Sequence, residues 1–190
     1  MKLELAYYGN PVLRKRVSKV KKITDEIKKL VAEMVETMHE HNGIGLAAPQ
    51  VSKSISVFIT EVPIPVKNPE DPEKMEWKPG KLRVFINPKI LSHGEEEWNL
   101  EEGCLSIPGL YGEVVRPVSV KVQAMDLDGN TFEEEFTWMD ARCIMHENDH
   151  LNGVLFIDRI HGDKRKELEP KLTEIKRAKK KSGAKGKSEI

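Results

Sequence analysis

Residues 146–150 combine metal-binding side chains with a spacing that suits a single ion. The segment reads His146-Glu147-Asn148-Asp149-His150, the pattern HExxH. On a helix, side chains four residues apart lie on the same face, so both imidazoles can reach one ion. Glu147 lies beside them, where a carboxylate can accept a proton from water. The pattern predicts a metal-dependent hydrolase, and a solvated acidic helix end is the alternative.

Two imidazoles do not complete a catalytic metal site, which normally has three protein ligands and an open position for water. The candidates for the third ligand are Cys104, Cys143 and several carboxylates. Cys143 lies about 10.5 Å from His150 along a helix axis, at a rise of roughly 1.5 Å per residue. A short thiol at that distance does not meet an ion held between His146 and His150. We therefore interpret Cys143 as a small apolar wall residue.

Cys104 lies in a stretch with loop-like composition, residues 101–106, where Gly103 permits unusual backbone angles and close approach. It can reach the histidines from elsewhere in the fold. A thiolate with two imidazoles suits zinc, iron or nickel, whereas magnesium and calcium prefer oxygen ligands. A purely structural site would need a fourth protein ligand, and His93 and His161 stay open for that role.

The histidine pattern is predicted to lie on a helix over Trp138–Asn152 that ends at Gly153, with Ile144 and Leu151 in the core. An earlier helix is predicted between Thr24, which can cap its first turn, and Asn42-Gly43. Its apolar residues recur at helical spacing: Ile27, Leu30, Val31, Met34, Val35 and Met38.

Short strands are predicted on both sides of a proline-rich segment. They cover Ser54–Thr60, Leu82–Ile86, Val118–Ala124 and Thr131–Phe136, and a turn over 126–130 joins the last two. Residues 62–80 hold 5 of the 11 prolines and are predicted to form an irregular surface excursion. The fold class expected is α+β, with short antiparallel sheets around the central helix that carries HExxH.

The bulk properties fit one enzyme-sized unit. With 190 residues and 21.6 kDa, the chain can enclose one core. Lys+Arg 31 and Asp+Glu 31 cancel, so no global field favours nucleic acid or membrane binding. No signal peptide or apolar span is visible, which predicts a cytoplasmic protein, bacterial or processed from an organellar precursor. A reducing cytoplasm favours thiols or metal ligands over a disulfide for the two cysteines.

Three separated blocks share an order and spacing with a known family. They are residues 43–50 (GIGLAAPQ), residues 102–106 (EGCLS) and the HExxH segment. Together they closely resemble peptide deformylases, and the likeness extends over about residues 1–160, including YYGNPVLRKR and LNGVLFIDR. It predicts a catalytic domain over 1–165 and a charged C-terminal helix with a Lys-rich tail over 166–190.

The resemblance implies roles for individual residues. Cys104, His146 and His150 would bind one divalent metal, with Fe2+ as the family's usual ion and Ni2+, Co2+ or Zn2+ as alternatives. Glu147 would be the catalytic acid/base. The substrate would be the N-terminal formyl-methionine of a newly synthesised polypeptide, hydrolysed to release formate. The metal would activate a water, and Glu147 would take its proton and return it to the leaving amine.

The remaining assignments concern the substrate. The Gln50 amide and the backbone N–H of Leu105 would stabilise the oxyanion. Gly43 and Gly45 would let a peptide lie extended, and Ile44, Leu105 and Cys143 would form a methionine pocket. This set of substrate-binding residues comprises Gly43, Ile44, Gly45, Glu102, Gly103, Tyr111 and Cys143.

Three features depart from the family pattern. Met145 stands where many members have Gln, Tyr111 stands where many bacterial members have Arg, and residues 62–80 are longer than a minimal bacterial version. These departures affect the substrate side of the cleft and access to it. They leave the proposed metal ligands untouched.

Two other functions share parts of this pattern. A zinc endopeptidase also uses HExxH. A ribosome- or RNA-binding module could use the basic run KRAKKKSGAKGK, residues 176–187, with the metal serving only structure. A deformylase could also dock at the ribosome through this tail. No membrane partner and no specific DNA partner are expected.

Overall fold

The first helix agrees closely with the predicted pattern. The structure is a computed structural model that describes residues 3–69, 71 and 73–185, with side chains as far as residue 178. Helix α1 spans Asp25–Glu40, and its buried side chains include Leu30, Met34 and Met38. Thr24 occupies the N-cap position, but its side chain makes no capping hydrogen bond. The helix is therefore fixed mainly by its apolar face, which packs against the larger sheet.

Antiparallel strands follow α1 along the chain. In chain order they are β1 Gly45–Ala47, β2 Val57–Thr60, β3 Ile64–Lys67, β4 Met75–Lys78, β5 Arg83–His93, β6 Glu97–Cys104, β7 Ile107–Pro117, β8 Ser119–Met125 and β9 Thr131–Thr137. One sheet has the strand order β1-β2-β5-β8-β9, and β3-β4 and β6-β7 form separate two-stranded sheets. All of these ladders are antiparallel, which confirms the predicted α+β class.

Helix α2, Trp138–Leu151, carries HExxH and is buried along most of its length. It contacts β1, β2, β8 and β9 of the five-stranded sheet as well as β7. Ile144 and Leu151 lie in the core as predicted. The helix ends before Gly153, whose φ of 73° lies in the left-handed region that glycine adopts without strain.

The structure corrects three expectations. The described part of residues 62–80 contains the β3–β4 hairpin instead of irregular chain, and an isolated two-strand ladder accommodates Pro65 at its edge. Cys104 ends strand β6 and does not lie in a loop. The C-terminal helix α3, Gly162–Lys185, is long rather than short, with Pro170 inside it.

Helix α3 packs on the core of the protein. Leu172 and Ile175 are buried in a cluster with Phe156 and Ile157, so residues beyond 165 also pack on the core. The division at residue 165 stays a prediction. Residues 186–190, the end of the Lys-rich tail, lie outside the described residues. Among the described helices, none has both the length and the apolarity needed to cross a membrane.

Gly153 provides a stability test. A Cβ there would lie 2.7 Å from the carbonyl oxygen of Arg14, in addition to the strain of positive φ. Gly162 is the matched control, because its φ is 65° but no atom lies within 4 Å of an added Cβ. We expect Gly153→Ala to lower the free energy of unfolding by about 2–3 kcal/mol and Gly162→Ala by about 1 kcal/mol. Urea unfolding followed by circular dichroism measures both, and equal losses would contradict the steric argument.

Candidate metal and active site

Three side chains bring metal-binding atoms together at the centre of the fold. The sulfur of Cys104 and the ring nitrogens of His146 and His150 all lie within 4.8 Å of one another. Helix α2 supplies both histidines, and the end of β6 supplies the thiol, with Cys104 Sγ 3.3 Å from His150 Nε2. Within the described ranges, no other set of three His, Cys, Asp or Glu side chains meets this spacing. His93 and His161 are not part of this group. The described residues therefore do not support a structural metal site with four protein ligands.

The donor set fits a transition metal. It consists of one thiol and two imidazoles, which suit zinc, iron, cobalt or nickel better than the hard ions. Burial lowers the pKa of His150 well below its ordinary value, so its ring stays neutral and its nitrogen lone pair stays available. Burial opposes the charged form of His146 too, but hydrogen bonds with Cys104 and Glu102 outweigh it and raise the pKa.

Glu147 presents one carboxylate oxygen that has no hydrogen-bond partner among the described residues. It is buried, and its Oε2 atom forms no hydrogen bond to any of them. Burial raises the pKa of this group to about 7, so the carboxyl can both accept and return a proton near neutral pH. Gly45 lies against it, because a Cβ there would approach Glu147 Oε1 to 2.5 Å. Strand β1 therefore packs directly on the carboxylate.

The side-chain amide of Gln50 has a fixed orientation. Gln50 lies in a 3-10 turn over Ala48–Val51 and is almost fully buried. Its Oε1 accepts a hydrogen bond of 2.8 Å from the backbone N–H of Ala47. A carbonyl oxygen must occupy that position, so the NH2 group points the other way and donates to Cys104 Sγ at 3.4 Å. The amide hydrogens thus face the candidate metal site.

A cleft of about 690 Å³ opens beside these groups. All of the residues predicted to bind substrate line it: Gly43, Ile44, Gly45, Glu102, Gly103, Tyr111 and Cys143. Leu105 and Gln50 line it as well, whereas His150 lies deeper. The cleft walls also include residues to which the sequence had assigned no role, among them Leu5, Tyr7, Leu110 and Met139.

Two of the cleft residues have informative surroundings. Tyr111 is 60% exposed, and its ring lies over Gly103, its partner in the β6–β7 ladder. A Cβ on Gly103 would come within 2.6 Å of that ring, so the glycine makes room for the tyrosine. Cys143 is a buried free thiol outside the metal-binding group, with its sulfur 3.4 Å from the Ile44 carbonyl oxygen. Burial raises the pKa of this thiol well above its ordinary value.

The Glu102 carboxylate is fully engaged with protein groups. Arg116 donates to both of its oxygens, at 2.6 and 2.9 Å, and Arg142 donates to Oε1 at 2.7 Å. His146 Nδ1 lies 2.9 Å from Oε2. Burial opposes the ionised form, but the bonds from Arg116 and His146 prevail and lower the Glu102 pKa far below its ordinary value. The geometry favours a role in orienting His146 over contact with substrate.

Arg116 and Arg142 are the functional neighbours that the sequence did not reveal. Arg116 is 2% exposed and comes from β7, and Arg142 comes from the first half of α2. Strand β7 and helix α2 contain one arginine each, and no short sequence pattern connects either residue to Glu102. Only the pairing of β6 with β7 and the packing of α2 bring them together.

Comparison with known proteins identifies the family of this chain. Residues 2–166 match the family described as polypeptide deformylase. A peptide deformylase from Cytophaga hutchinsonii is 41% identical over 168 residues, covering 88% of this chain and 87% of the relative. One from Acinetobacter baumannii is 40% identical over 175 residues, covering 92% of each chain.

Solved structures give the same result. Peptide deformylase 1B from Arabidopsis thaliana, in complex with an inhibitor, superposes with a TM-score of 0.81 at 36% identity, covering 95% of this chain and 94% of the other. A peptide deformylase from Acinetobacter baumannii with Met-Ala-Ser bound gives 0.74 at 37% identity, covering 84% and 99%. The chain therefore belongs to the polypeptide deformylase family, the hydrolases that remove the formyl group from the N-terminus of newly synthesised polypeptides.

Proposed function

We propose that Cys104, His146 and His150 hold one divalent cation, Fe2+, and that Glu147 transfers the protons of deformylation. The observation that carries this proposal is the partnerless carboxylate oxygen of Glu147 beside three clustered donor atoms. A cation held there would lower the pKa of a water and polarise the formyl carbonyl. The choice of iron rests on the resemblance to the family, and nickel, cobalt and zinc satisfy the same donors.

Glu147 has the position and the proton affinity for both transfers. In the first, its carboxylate accepts a proton as the water oxygen bonds to the formyl carbon. In the second, it returns that proton to the amine nitrogen as the C–N bond breaks, which yields formate and a free N-terminus. A pKa near 7 lets one group do both, because neither the acid nor the base form is strongly favoured.

Gln50 and Leu105 are proposed to stabilise the oxyanion. The bond from Ala47 directs the Gln50 amide hydrogens toward the reacting centre, and Leu105 follows Cys104 directly at the wall of the cleft. A donor fixed before the reaction needs no reorganisation when charge develops. Ile44, Leu105 and Cys143 are proposed to surround the methionine side chain, and Gly43, Gly45, Gly103 and Tyr111 to flank the peptide.

The substrate class follows from the family and from one relative. The Acinetobacter baumannii structure contains Met-Ala-Ser, a tripeptide that begins with methionine. We propose that this chain acts on formyl-methionyl peptides of the same kind in the cytoplasm. Ribosome docking through residues 176–187 is a further part of the proposal. Residues 186 and 187 lie outside the described residues, as do the side chains beyond 178.

The first test concerns proton transfer. We expect Glu147→Gln to lower the rate of formate release from formyl-Met-Ala-Ser by about 10²–10⁴-fold, because the amide cannot accept the proton. Metal content, measured on anaerobically purified protein, should stay at one ion per chain. A variant that keeps wild-type activity would refute the role of Glu147. Cleavage of a peptide bond in unformylated peptides by the wild type would instead support the endopeptidase.

The second test concerns the oxyanion. We expect Gln50→Ala to lower kcat by about 10²–10³-fold with a small change in KM, because the lost donor acts mainly on the transition state. Gln123 provides the matched control, since it lies on β8 and does not line the cleft. Gln123→Ala should have wild-type kinetics. A rise in KM alone for Gln50→Ala would assign this residue to substrate binding.

The third test concerns the tail. Deleting residues 177–190 removes much of the basic run but keeps Leu172 and Ile175, which pack on the core. We expect ribosome co-sedimentation at low salt to fall, since lysine contacts with RNA phosphates depend on charge. Formate release from the tripeptide should be unchanged. Undiminished co-sedimentation would exclude the tail as the docking element.

A further inference from the structure

We propose that Arg159 is a positioning residue for the metal site, acting through Asp149 and Arg116 on the carboxylate that orients His146. This inference rests on the proposed metal site and adds to it a residue at the protein surface. The side chain of Arg159 is 42% exposed and does not line the cleft. Its influence must therefore be transmitted through the groups that it contacts.

The first link joins Arg159 to helix α2. Arg159 ends a 3-10 turn over Phe156–Arg159, and its guanidinium contacts the Asp149 carboxylate through two bonds. The distances are 2.7 Å from Nε to Oδ2 and 2.5 Å from Nη2 to Oδ1. A paired contact of this kind fixes the carboxylate in plane and in direction. Asp149 directly precedes His150, so the contact also holds the segment that carries one histidine.

The second link runs through a buried cation. Arg116 is 2% exposed and donates from Nη1 to Asp149 Oδ2 at 3.0 Å. Its other two contacts go to the two oxygens of Glu102. Arg116 is therefore held between two carboxylates, and burying a cation is tolerable only because both are present. Asp149 Oδ2 is shared between Arg116 and Arg159, so a change at one guanidinium alters the contact at the other.

The last link reaches the histidine. Glu102 Oε2 accepts from Arg116 Nη2 and lies 2.9 Å from His146 Nδ1. A partner at Nδ1 sets the tautomer and the ring direction, leaving Nε2 for a metal. The chain of contacts thus runs from Arg159 to Asp149, Arg116, Glu102 and His146.

The expected loss of metal affinity depends on how many contacts separate Arg159 from His146. Removing a direct outer partner of a ligand typically weakens metal binding by roughly 10–100-fold. Arg159 is separated from His146 by three residues of the network, and Arg142 of α2 also donates a hydrogen bond to Glu102. We therefore expect loss of the Arg159 guanidinium to weaken metal binding by about tenfold, the lower end of that range. A residue that only fastened the 3-10 turn to α2 would change stability without changing metal binding.

The experiment compares Arg159→Met with Arg159→Lys and a control. Methionine keeps much of the apolar stem, and lysine restores the charge. Arg83→Met is the matched control, because Arg83 pairs with Glu134 outside the network. The measurements are the Co2+ dissociation constant by visible titration, the Co2+ ligand-field spectrum, and the Tm of the metal-free protein. Kinetics on formyl-Met-Ala-Ser accompany them.

The proposal predicts a specific pattern. Arg159→Met should raise the Co2+ dissociation constant about tenfold, shift the ligand-field bands and lower kcat with little change in KM. Arg159→Lys should recover part of each effect, and Arg83→Met should change none. In an Asp149→Asn background, Arg159→Met should add nothing further, because the two residues act in series.

Two results would overturn the inference. A lower Tm in Arg159→Met with an unchanged Co2+ dissociation constant and spectrum would show that Arg159 contributes to stability alone. Full additivity with Asp149→Asn would show that Arg159 acts by another route. A wild-type chain that binds no Co2+ and releases no formate is a different failure, because it would overturn the proposed metal site itself and everything that rests on it.

Discussion

The fold depends on how helix α2 keeps charged and polar side chains inside the protein. Over a few turns it buries Arg142, His146, Glu147, Asp149 and His150 beneath a five-stranded sheet. Such burial is costly unless each charge finds a partner, and the pair of Arg116 and Glu102 supplies much of that compensation. The same pair joins β6 and β7 to α2. The ionic contacts thus determine where the hairpin meets the helix, and hence where Cys104 meets the histidines.

Glu147 differs from Asp149, the other buried carboxylate of α2, whose oxygens are bonded to Arg116 and Arg159. Its neighbours are matched carboxylates and guanidiniums, but one of its oxygens has no partner among the described residues. Glu102 and Glu147 are both buried glutamates, and their pKa values move in opposite directions. Arginine contacts keep the first ionised, whereas burial favours the protonated form of the second. These opposite pKa shifts keep Glu102 as a permanent negative charge within the ion-pair network, and they favour proton exchange by Glu147.

The histidine pair and the first helix could be predicted because their signals are local, whereas the roles of Gln50 and Leu105 came from the family resemblance. HExxH depends on helical spacing, and the apolar periodicity of α1 and the alternation of β8 and β9 extend over short windows. The β6–β7 hairpin was missed because two of its buried positions hold the charged residues Glu102 and Arg116, which interrupt the apolar alternation. The β3–β4 hairpin was missed because its prolines indicate irregular chain. The contacts of Arg116 connect residues far apart in sequence, and no local pattern encodes them.

The hairpin that carries Cys104 has a consequence for how such chains can diverge. Successive side chains of β6 point to opposite faces, and the register shifts between Gly103 and Cys104, immediately before the thiol. Inserting one residue within β6 would reverse the faces of all residues on one side of the insertion. The β3–β4 hairpin carries no such constraint, since none of its described residues lines the cleft. Length variation during evolution is therefore expected to accumulate there, while the spacing from Glu97 to Cys104 stays constant.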